Sequence, residues 1–167
     1  MLMRELFDEF PFNGCAVVPL ELQQLLNQPL NVCDDWQRAE RLLLEAGAKM
    51  PEWLEIKVAL YKMYAYSNRL DESLALINEV LREAASQGGF CDDWRKLEKD
   101  SAEWGNARGA VRFYLYSLKA LGFVLLRKGE VMMAYEALQK LCELDSGDQV
   151  GGGVVYEMAE RILDDVA

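Results

Sequence analysis

The sequence has 167 residues, which is enough for one domain with a proper hydrophobic core. Apolar residues make up 51% of it and charged residues 28%, a balance that excludes a disordered chain. The formal net charge of −10 disfavours nucleic acid and anionic membranes as partners and favours basic ones.

The chain contains no histidine. This absence excludes Ser-His-Asp and Cys-His catalysis and removes the commonest metal ligand and general base. The four cysteines include no C-x-x-C pair, so their spacing predicts no zinc site. We therefore predict no cofactor, no metal and no enzymatic activity. A redox or metal role for Cys33 and Cys91, which occupy equivalent places in a repeat described below, stays open.

The N-terminus and the lengths of the apolar runs bear on location. Residues 1–9 carry acidic side chains where a secretory signal would carry basic ones before a long apolar stretch. No uninterrupted apolar run approaches the roughly 18–20 residues that a membrane span requires. We predict a cytoplasmic protein without a membrane partner, in which the cysteines are reduced thiols.

Residues 1–31 predict an N-terminal capping segment. Pro19 and Pro29 bracket a short apolar segment, which predicts a helix over 20–27. Repeat proteins cover their terminal apolar faces, so we expect this segment to act as a lid. The alternative is that the sequence Phe-Pro-Phe at 10–12 is a docking peptide or plugs a groove.

The tetrapeptide Cys-Asp-Asp-Trp occurs at 33–36 and again at 91–94. Two interpretations are open. The four aspartates could form an acidic surface for Lys or Arg of a partner, with the tryptophans as anchors. Alternatively, each aspartate pair caps a helix and each tryptophan packs between helices. The residues concerned are Asp34, Asp35, Trp36, Asp92, Asp93 and Trp94.

Each tetrapeptide is followed by a pattern that predicts three helices. The first set is 34–48, 52–68 and 70–86, and the second is 92–106, 110–128 and 130–145. Gly129 stands where the helix over 110–128 must stop, because a residue just past a helix end often adopts the left-handed conformation. Two units of about 60 residues are therefore predicted.

The residues that join the last two of these helices carry a resemblance. Leu121, Gly122, Ala134 and Leu138 fall at the spacings by which tetratricopeptide repeats lock their paired helices, with Gly122 admitting the neighbouring helix closely. The chain thus resembles a tetratricopeptide repeat protein. In the first unit the matching positions are Leu60, Tyr61, Ser73 and Ile77, so Tyr61 replaces the glycine of that pattern.

The resemblance implies an all-α fold, a tetratricopeptide-like right-handed α-α superhelix of about seven to eight helices. We expect a single domain, 1–167. Within it, 1–31 is the N-terminal capping segment, 32–88 and 90–147 are the repeat units, and 148–167 is a C-terminal capping helix. That last helix is predicted over 154–166, with one apolar face made of Val155, Met158, Ala159, Ile162 and Leu163.

The resemblance also implies a binding surface, because the first helix of each pair lines the concave groove in tetratricopeptide proteins. The positions carried across are Glu55, Val58, Lys62, Tyr66, Tyr116, Lys119, Phe123 and Arg127. They mix aromatic and charged side chains, which suits a bound peptide. The alternative is that Tyr66 and Phe123 contact the capping segments, which would then fill the groove.

The leading functional hypothesis is a non-catalytic adaptor or chaperone-like protein that binds a protein or peptide partner, one that its charge predicts to be basic. A second hypothesis is a homodimeric structural subunit of a larger assembly. A third is an all-α enzyme, metal-dependent or using carboxylates such as Glu40, Glu45 or Asp100.

Overall fold

The structure, a computed structural model, describes residues 1–8 and 18–166. The described residues are all-α, as predicted, and they form seven α-helices and no β-strand. An antiparallel bridge joins Leu2 to Asn31. The Phe-Pro-Phe sequence at 10–12 lies outside the described residues.

Seven predicted helices are confirmed, each to within two residues at either end, which is the usual scatter of helix boundaries. They are α1 (Leu20–Leu26), α2 (Trp36–Lys49), α3 (Leu54–Tyr66), α4 (Leu70–Gly88), α5 (Gly109–Arg127), α6 (Val131–Leu144) and α7 (Gly152–Val166). A 3-10 helix, Met3–Phe7, precedes them.

The helix predicted over 92–106 is wrong. Two short 3-10 turns, Trp94–Lys96 and Trp104–Asn106, stand there instead. A helical apolar stripe through Trp94 and Leu97 would continue at Ser101, which is polar. The Ser101 hydroxyl instead accepts a hydrogen bond from the Glu98 backbone N–H at 2.9 Å, and such local bonds compete with helical ones. The second predicted unit therefore lacks its first helix.

The chain divides into two compact units, Met1–Ser73 and Leu74–Ala167, and α4 begins in the first and continues in the second. In the first unit, α2 packs on α3 and α1 packs on α2. The 3-10 helix contacts both α1 and α3. The largest fully buried apolar side chains of this unit are Met3, Leu6, Leu22, Leu43, Leu54, Ile56, Tyr61 and Met63.

In the second unit, α5, α6 and α7 pack on one another. Gly122 is buried on α5, and a Cβ atom there would lie 2.4 Å from Cγ of Leu138 on α6. Ala134 is also fully buried. The close approach predicted for Gly122 is thus confirmed, and Leu138 is the side chain that fills the space which the glycine leaves.

The glycine run before α7 serves a similar contact. A Cβ atom at Gly152 would lie 2.4 Å from Cδ2 of Leu141, so α7 begins directly against α6. Asp145 stabilises the loop between α6 and α7, since its carboxylate accepts hydrogen bonds from the backbone N–H groups of Gln149 and Val150, both at 3.0 Å. The carboxylate is buried but has these partners, as buried charge requires.

Two helix ends, one in each unit, use the same turn. Asn68 has φ 60° and Gly129 has φ 84°, both in the left-handed region. The next backbone N–H reaches back to a helix carbonyl in each case, from Arg69 to Tyr64 at 2.8 Å and from Glu130 to Leu125 at 2.9 Å. This is the Schellman motif of helix ends. The left-handed conformation predicted for Gly129 is confirmed.

Helix α5 is long and apolar enough to cross a membrane, judged by length and composition only, with a mean hydropathy of 1.3 over its 18-residue window. From the uninterrupted apolar runs we expect no segment long enough to span a membrane, and α5 contradicts this expectation. However, 56% of that window is buried inside the chain, and the core helices of soluble proteins meet the same criterion. The finding is weak support for a membrane segment.

Candidate functional site

The four predicted groove positions of the first unit differ in their exposure. Val58 is fully buried, and Lys62 is only 7% exposed, with its Nζ donating a hydrogen bond to the Leu6 carbonyl at 3.1 Å. Glu55 is half-buried, and this burial raises the pKa of its carboxyl group. Tyr66 is 58% exposed. The N-terminal 3-10 helix thus covers the part of α3 that was predicted to be open.

The four positions of the second unit lie on α5. Tyr116 is buried, and the Lys119 Nζ donates a hydrogen bond to the Val150 carbonyl at 2.7 Å while lying 4.6 Å from the centre of the Tyr116 ring. Phe123 is half-buried and Arg127 is exposed, with Cζ of Arg127 6.0 Å from the Phe123 ring centre.

Three of the predicted site residues, which were expected to line an open groove, are therefore buried. Val58, Lys62 and Tyr116 form part of the packed interior and cannot meet a partner as the chain stands. Partner binding at Glu55, Tyr66, Lys119, Phe123 and Arg127 stays a prediction.

The second aspartate of each Cys-Asp-Asp-Trp sequence caps a helix, α2 in the first copy and the 3-10 turn Trp94–Lys96 in the second. Asp35 Oδ1 accepts from the Arg38 backbone N–H at 3.3 Å at the start of α2, and Asp93 Oδ1 accepts from the Arg95 N–H at 3.1 Å. Trp94 is buried, but Trp36 is 37% exposed, so the packed interpretation fails for Trp36. Cys33 and Cys91 are both exposed free thiols.

Trp36 belongs to a cluster around Arg69 in the first unit. The Arg69 guanidinium carbon lies 5.0 Å from the Trp36 ring centre and 4.6 Å from that of Tyr64. Its Nη1 donates to Glu40 Oε2 at 3.0 Å, and the Tyr64 hydroxyl donates to Glu40 Oε1 at 2.9 Å. Arg69 also pairs with Glu72. Because the charges in this cluster have partners, it stabilises the turn between α3 and α4 and offers a ligand little.

The electrostatics of that cluster follow from its hydrogen bonds. The Arg69 guanidinium holds the pKa of Glu40 below its ordinary value, and the same bond raises the pKa of Arg69. Burial, followed by the bond to Glu40, raises the pKa of Tyr64 to about 12. At neutral pH the cluster therefore contains a carboxylate, a guanidinium and a neutral phenol.

Six of the twelve exposed large apolar residues of the described chain lie on α6 and α7, and we call the surface that they form the α6–α7 surface. Two methionines at the start of α6 belong to it, together with four apolar residues of α7 spaced four apart. The exposed fractions are Met132 59%, Met133 45%, Val154 65%, Met158 43%, Ile162 37% and Val166 81%. Residues four apart lie on one side of a helix, so those of α7 form a continuous row.

A groove of about 660 Å³ lies between the first residues of α6 and the last residues of α7. Its apolar lining includes Met132, Met133 and Val166, and its carboxylates are Glu130 and Glu136. Most of its wall is apolar and two carboxylates line it, which is the composition of protein-binding surfaces with adaptable side chains.

The surroundings of the α6–α7 surface are strongly acidic. Residues 130–166 contain nine acidic and two basic residues. Of the two basic ones, Lys140 pairs with Glu143 at 3.1 Å and donates to the Leu97 carbonyl at 3.0 Å. The acidic residues that are exposed near the groove are Glu130, Glu136, Asp164 and Asp165.

The sequence interpretation missed this surface because it assigned α7 to capping. Ala159, one of the predicted face residues, is fully buried, whereas Met158 and Ile162 of the same predicted face are exposed. A signal was present in the sequence. With Val154 and Val166 included, the apolar arc of α7 is wider than one packed helix face requires.

The described residues contain no group of three or more Cys, Asp or Glu side chains arranged to hold a metal ion. Cys142 is half-buried, and burial raises the pKa of its thiol, with further contributions from Asp148 and Asp145. A raised thiol pKa lowers the thiolate fraction at neutral pH, which disfavours Cys142 as a nucleophile.

Comparison with known proteins adds one relative. The chain is similar to an uncharacterized 19.8 kDa protein in the nifW 5′ region of Azotobacter chroococcum mcd 1, with 29% identity over 122 residues, which is 72% of this chain and 68% of that protein. That name gives a gene location and no activity. No protein-family model and no solved structure matches the chain.

Proposed function

We propose that this protein is a non-catalytic interaction module, of the adaptor or chaperone type, that binds a partner polypeptide. The observation that carries the proposal is the exposed apolar row of α7 beside Met132 and Met133. A terminal helix that only caps a helical stack presents a polar outer side. Contiguous apolar surface with a polar rim is instead typical of a protein-binding site.

The proposal includes the tetratricopeptide-like superhelix. Its support is the α5–α6 pair, in which Gly122 admits Leu138 at the place where the resemblance requires a close approach. The matching turns at Asn68 and Gly129, 61 residues apart, support the internal repeat.

The proposal moves the main partner contact from the predicted groove positions to the α6–α7 surface. Val58, Lys62 and Tyr116 contribute to the core, while the α6–α7 surface is open in the described chain. We further propose a cytoplasmic protein that binds neither nucleic acid nor a membrane, because the net charge of −10 repels anionic polymers and anionic lipid surfaces.

Site-specific photo-crosslinking in the native host tests the proposal. A photoreactive amino acid is placed at Met133 or Met158, and, as a matched control, at the exposed Lys99 of the same unit. We expect one dominant product of higher mass from Met133 and Met158 and none from Lys99.

Two results would contradict the proposal. Equal products from all three positions would mean non-specific contact. A product with twice the mass of the chain, obtained from Met133 and Met158, would assign the surface to self-association and favour the homodimeric subunit instead.

A further inference from the structure

We propose that the occupant of the α6–α7 surface is a basic amphipathic helix of the partner protein. This inference rests on the proposed function and specifies the chemical class of its partner. It is argued from the shape of the apolar surface and from the charge around it.

The apolar part of the surface fits a helix. The exposed row of α7 runs from Val154 to Val166, spans about three helical turns, and continues into the groove beside Met132 and Met133. A partner helix with apolar residues at a spacing of three and four would cover such a row along its length. Methionine side chains adapt to different apolar neighbours, which suits Met132, Met133 and Met158 to this contact.

The charge around the surface selects a basic occupant. Exposed carboxylates of Glu130 and Glu136 lie at the groove, and Asp164 and Asp165 directly precede Val166. Lys140 is engaged with Glu143 and Leu97, which leaves one exposed cation within residues 130–166, Arg161, against these four exposed carboxylates. Lysine or arginine residues that flank the apolar face of a partner helix would meet these carboxylates, and opposite charges across a contact steer association.

The same charge argues against a second copy of this chain as the occupant. In a two-fold symmetric dimer the same patch meets itself, so both copies would bring the exposed carboxylates of Glu130, Glu136, Asp164 and Asp165 to one interface. Like charges brought together oppose association, most strongly at low ionic strength.

A matched pair of synthetic peptides tests the inference on the full chain. Each peptide has about 18 residues, enough for a helix of about 27 Å. Leucine occupies one face of the helix, and all remaining positions are lysine in one peptide and glutamate in the other. Binding is followed by fluorescence anisotropy at low and at high salt. We expect the lysine peptide to bind at least about tenfold more tightly than the glutamate peptide, and this preference to shrink at high salt.

Matched variants locate the binding. Glu136→Gln, Asp164→Asn and Asp165→Asn together remove three carboxylates at the surface, whereas Glu98→Gln, Asp100→Asn and Glu103→Gln remove three exposed carboxylates elsewhere in the unit. We expect the first triple variant to weaken binding of the lysine peptide about tenfold at low salt and the second to change it less than about twofold. Met158→Gln with Ile162→Gln should weaken it at both salt concentrations, because that contribution is apolar.

The outcomes separate this inference from the proposed function. Equal affinity for both peptides, equal effects of the two triple variants, or no binding of the lysine peptide overturns the basic helix. If crosslinking at Met133 and Met158 still gives a specific partner, the proposed function stands with an occupant of another chemistry. If crosslinking also gives no specific product, both fail.

Discussion

The turn between α3 and α4 in the first unit and the turn between α5 and α6 in the second end their helices in the same way, yet the helices are joined by different chemistry. In the first unit the buried Ser73 hydroxyl donates a hydrogen bond to the Tyr61 carbonyl at 2.9 Å. At the matching positions of the second unit, Gly122 replaces Tyr61 and Ala134 replaces Ser73, and the contact is an apolar close approach. A repeat spacing therefore specifies where two helices meet but not which interaction holds them.

The comparison predicts the largest effect at Gly122. Gly122→Ala should lower the free energy of unfolding by about 2 kcal/mol, because a methyl group would overlap Leu138, which is fully buried. Gly47→Ala in α2 is the matched control. Its Cβ atom would lie 3.7 Å from Ile56, an ordinary contact, so the better helix propensity of alanine should raise stability by up to about 1 kcal/mol.

Chemical denaturation of both variants measures this difference. A second variant, Leu138→Ala, removes the overlapping side chain, so adding Gly122→Ala to it should cost nothing further. If the effect of Gly122→Ala is the same with and without Leu138, the close approach is not the reason for the glycine.

The second prediction concerns the left-handed residues of the two turns. Gly129→Ala should cost about 1–2 kcal/mol, because a residue with a Cβ atom is strained at φ 84°. The opposite substitution, Asn68→Gly, should leave stability unchanged or raise it, since glycine adopts φ 60° without strain. Thermal unfolding curves of the two variants should shift in opposite directions or by clearly different amounts. A neutral Gly129→Ala would contradict the shared turn.

The third prediction concerns the hydrogen bond from the Ser73 hydroxyl to the Tyr61 carbonyl. Ser73→Ala introduces into the first unit the residue that the second unit has at Ala134. It should cost about 1 kcal/mol in denaturant unfolding, the usual net value of one buried hydrogen bond. Ala134→Ser, at the site without this bond, is the control, and a stabilising Ser73→Ala would show that the bond contributes nothing.

The smallest effect expected is the pH dependence of the Glu40–Arg69 bond. The folded-state pKa of Glu40 lies below its unfolded value, so the bond contributes stability above the unfolded pKa and loses it as pH falls through the folded pKa. Glu40 and Arg69 are partly exposed, which limits the contribution to about 1 kcal/mol or less.

Comparing wild type with Glu40→Gln isolates this contribution. The stability difference between them should be largest near neutral pH and should close as the pH falls below about 4.5, the ordinary carboxyl value. A stability difference between wild type and Glu40→Gln that stays constant as the pH falls would mean that the Glu40–Arg69 bond does not form in solution.

At the alkaline end, the raised pKa of Tyr64 predicts stability that is intact below about pH 10 and lost as the pH rises towards about 12.

Local features of the sequence determined most of the helices. Apolar periodicity and helix-ending residues act over three or four neighbours, so α2 to α7 and the turn at Gly129 were predictable to within two residues. The helix predicted over 92–106 failed because repetition of Cys-Asp-Asp-Trp was extended beyond the residues that actually repeat. After the second tetrapeptide, Ser101 interrupts the apolar stripe that begins with Trp94 and Leu97, whereas the corresponding stripe continues along α2.

Only the tertiary structure decided which side chains of those helices are covered. Lys62 is buried because Leu6, 56 residues earlier in the sequence, supplies a carbonyl for its ammonium group. Trp36 stays partly exposed because it stacks against Arg69 rather than between helices. On α7, Ala159 is buried and Met158 is not, a distinction that periodicity cannot make when apolar residues surround more than half of a helix. Burial depends on groups distant in sequence, and so does the position of the proposed binding surface.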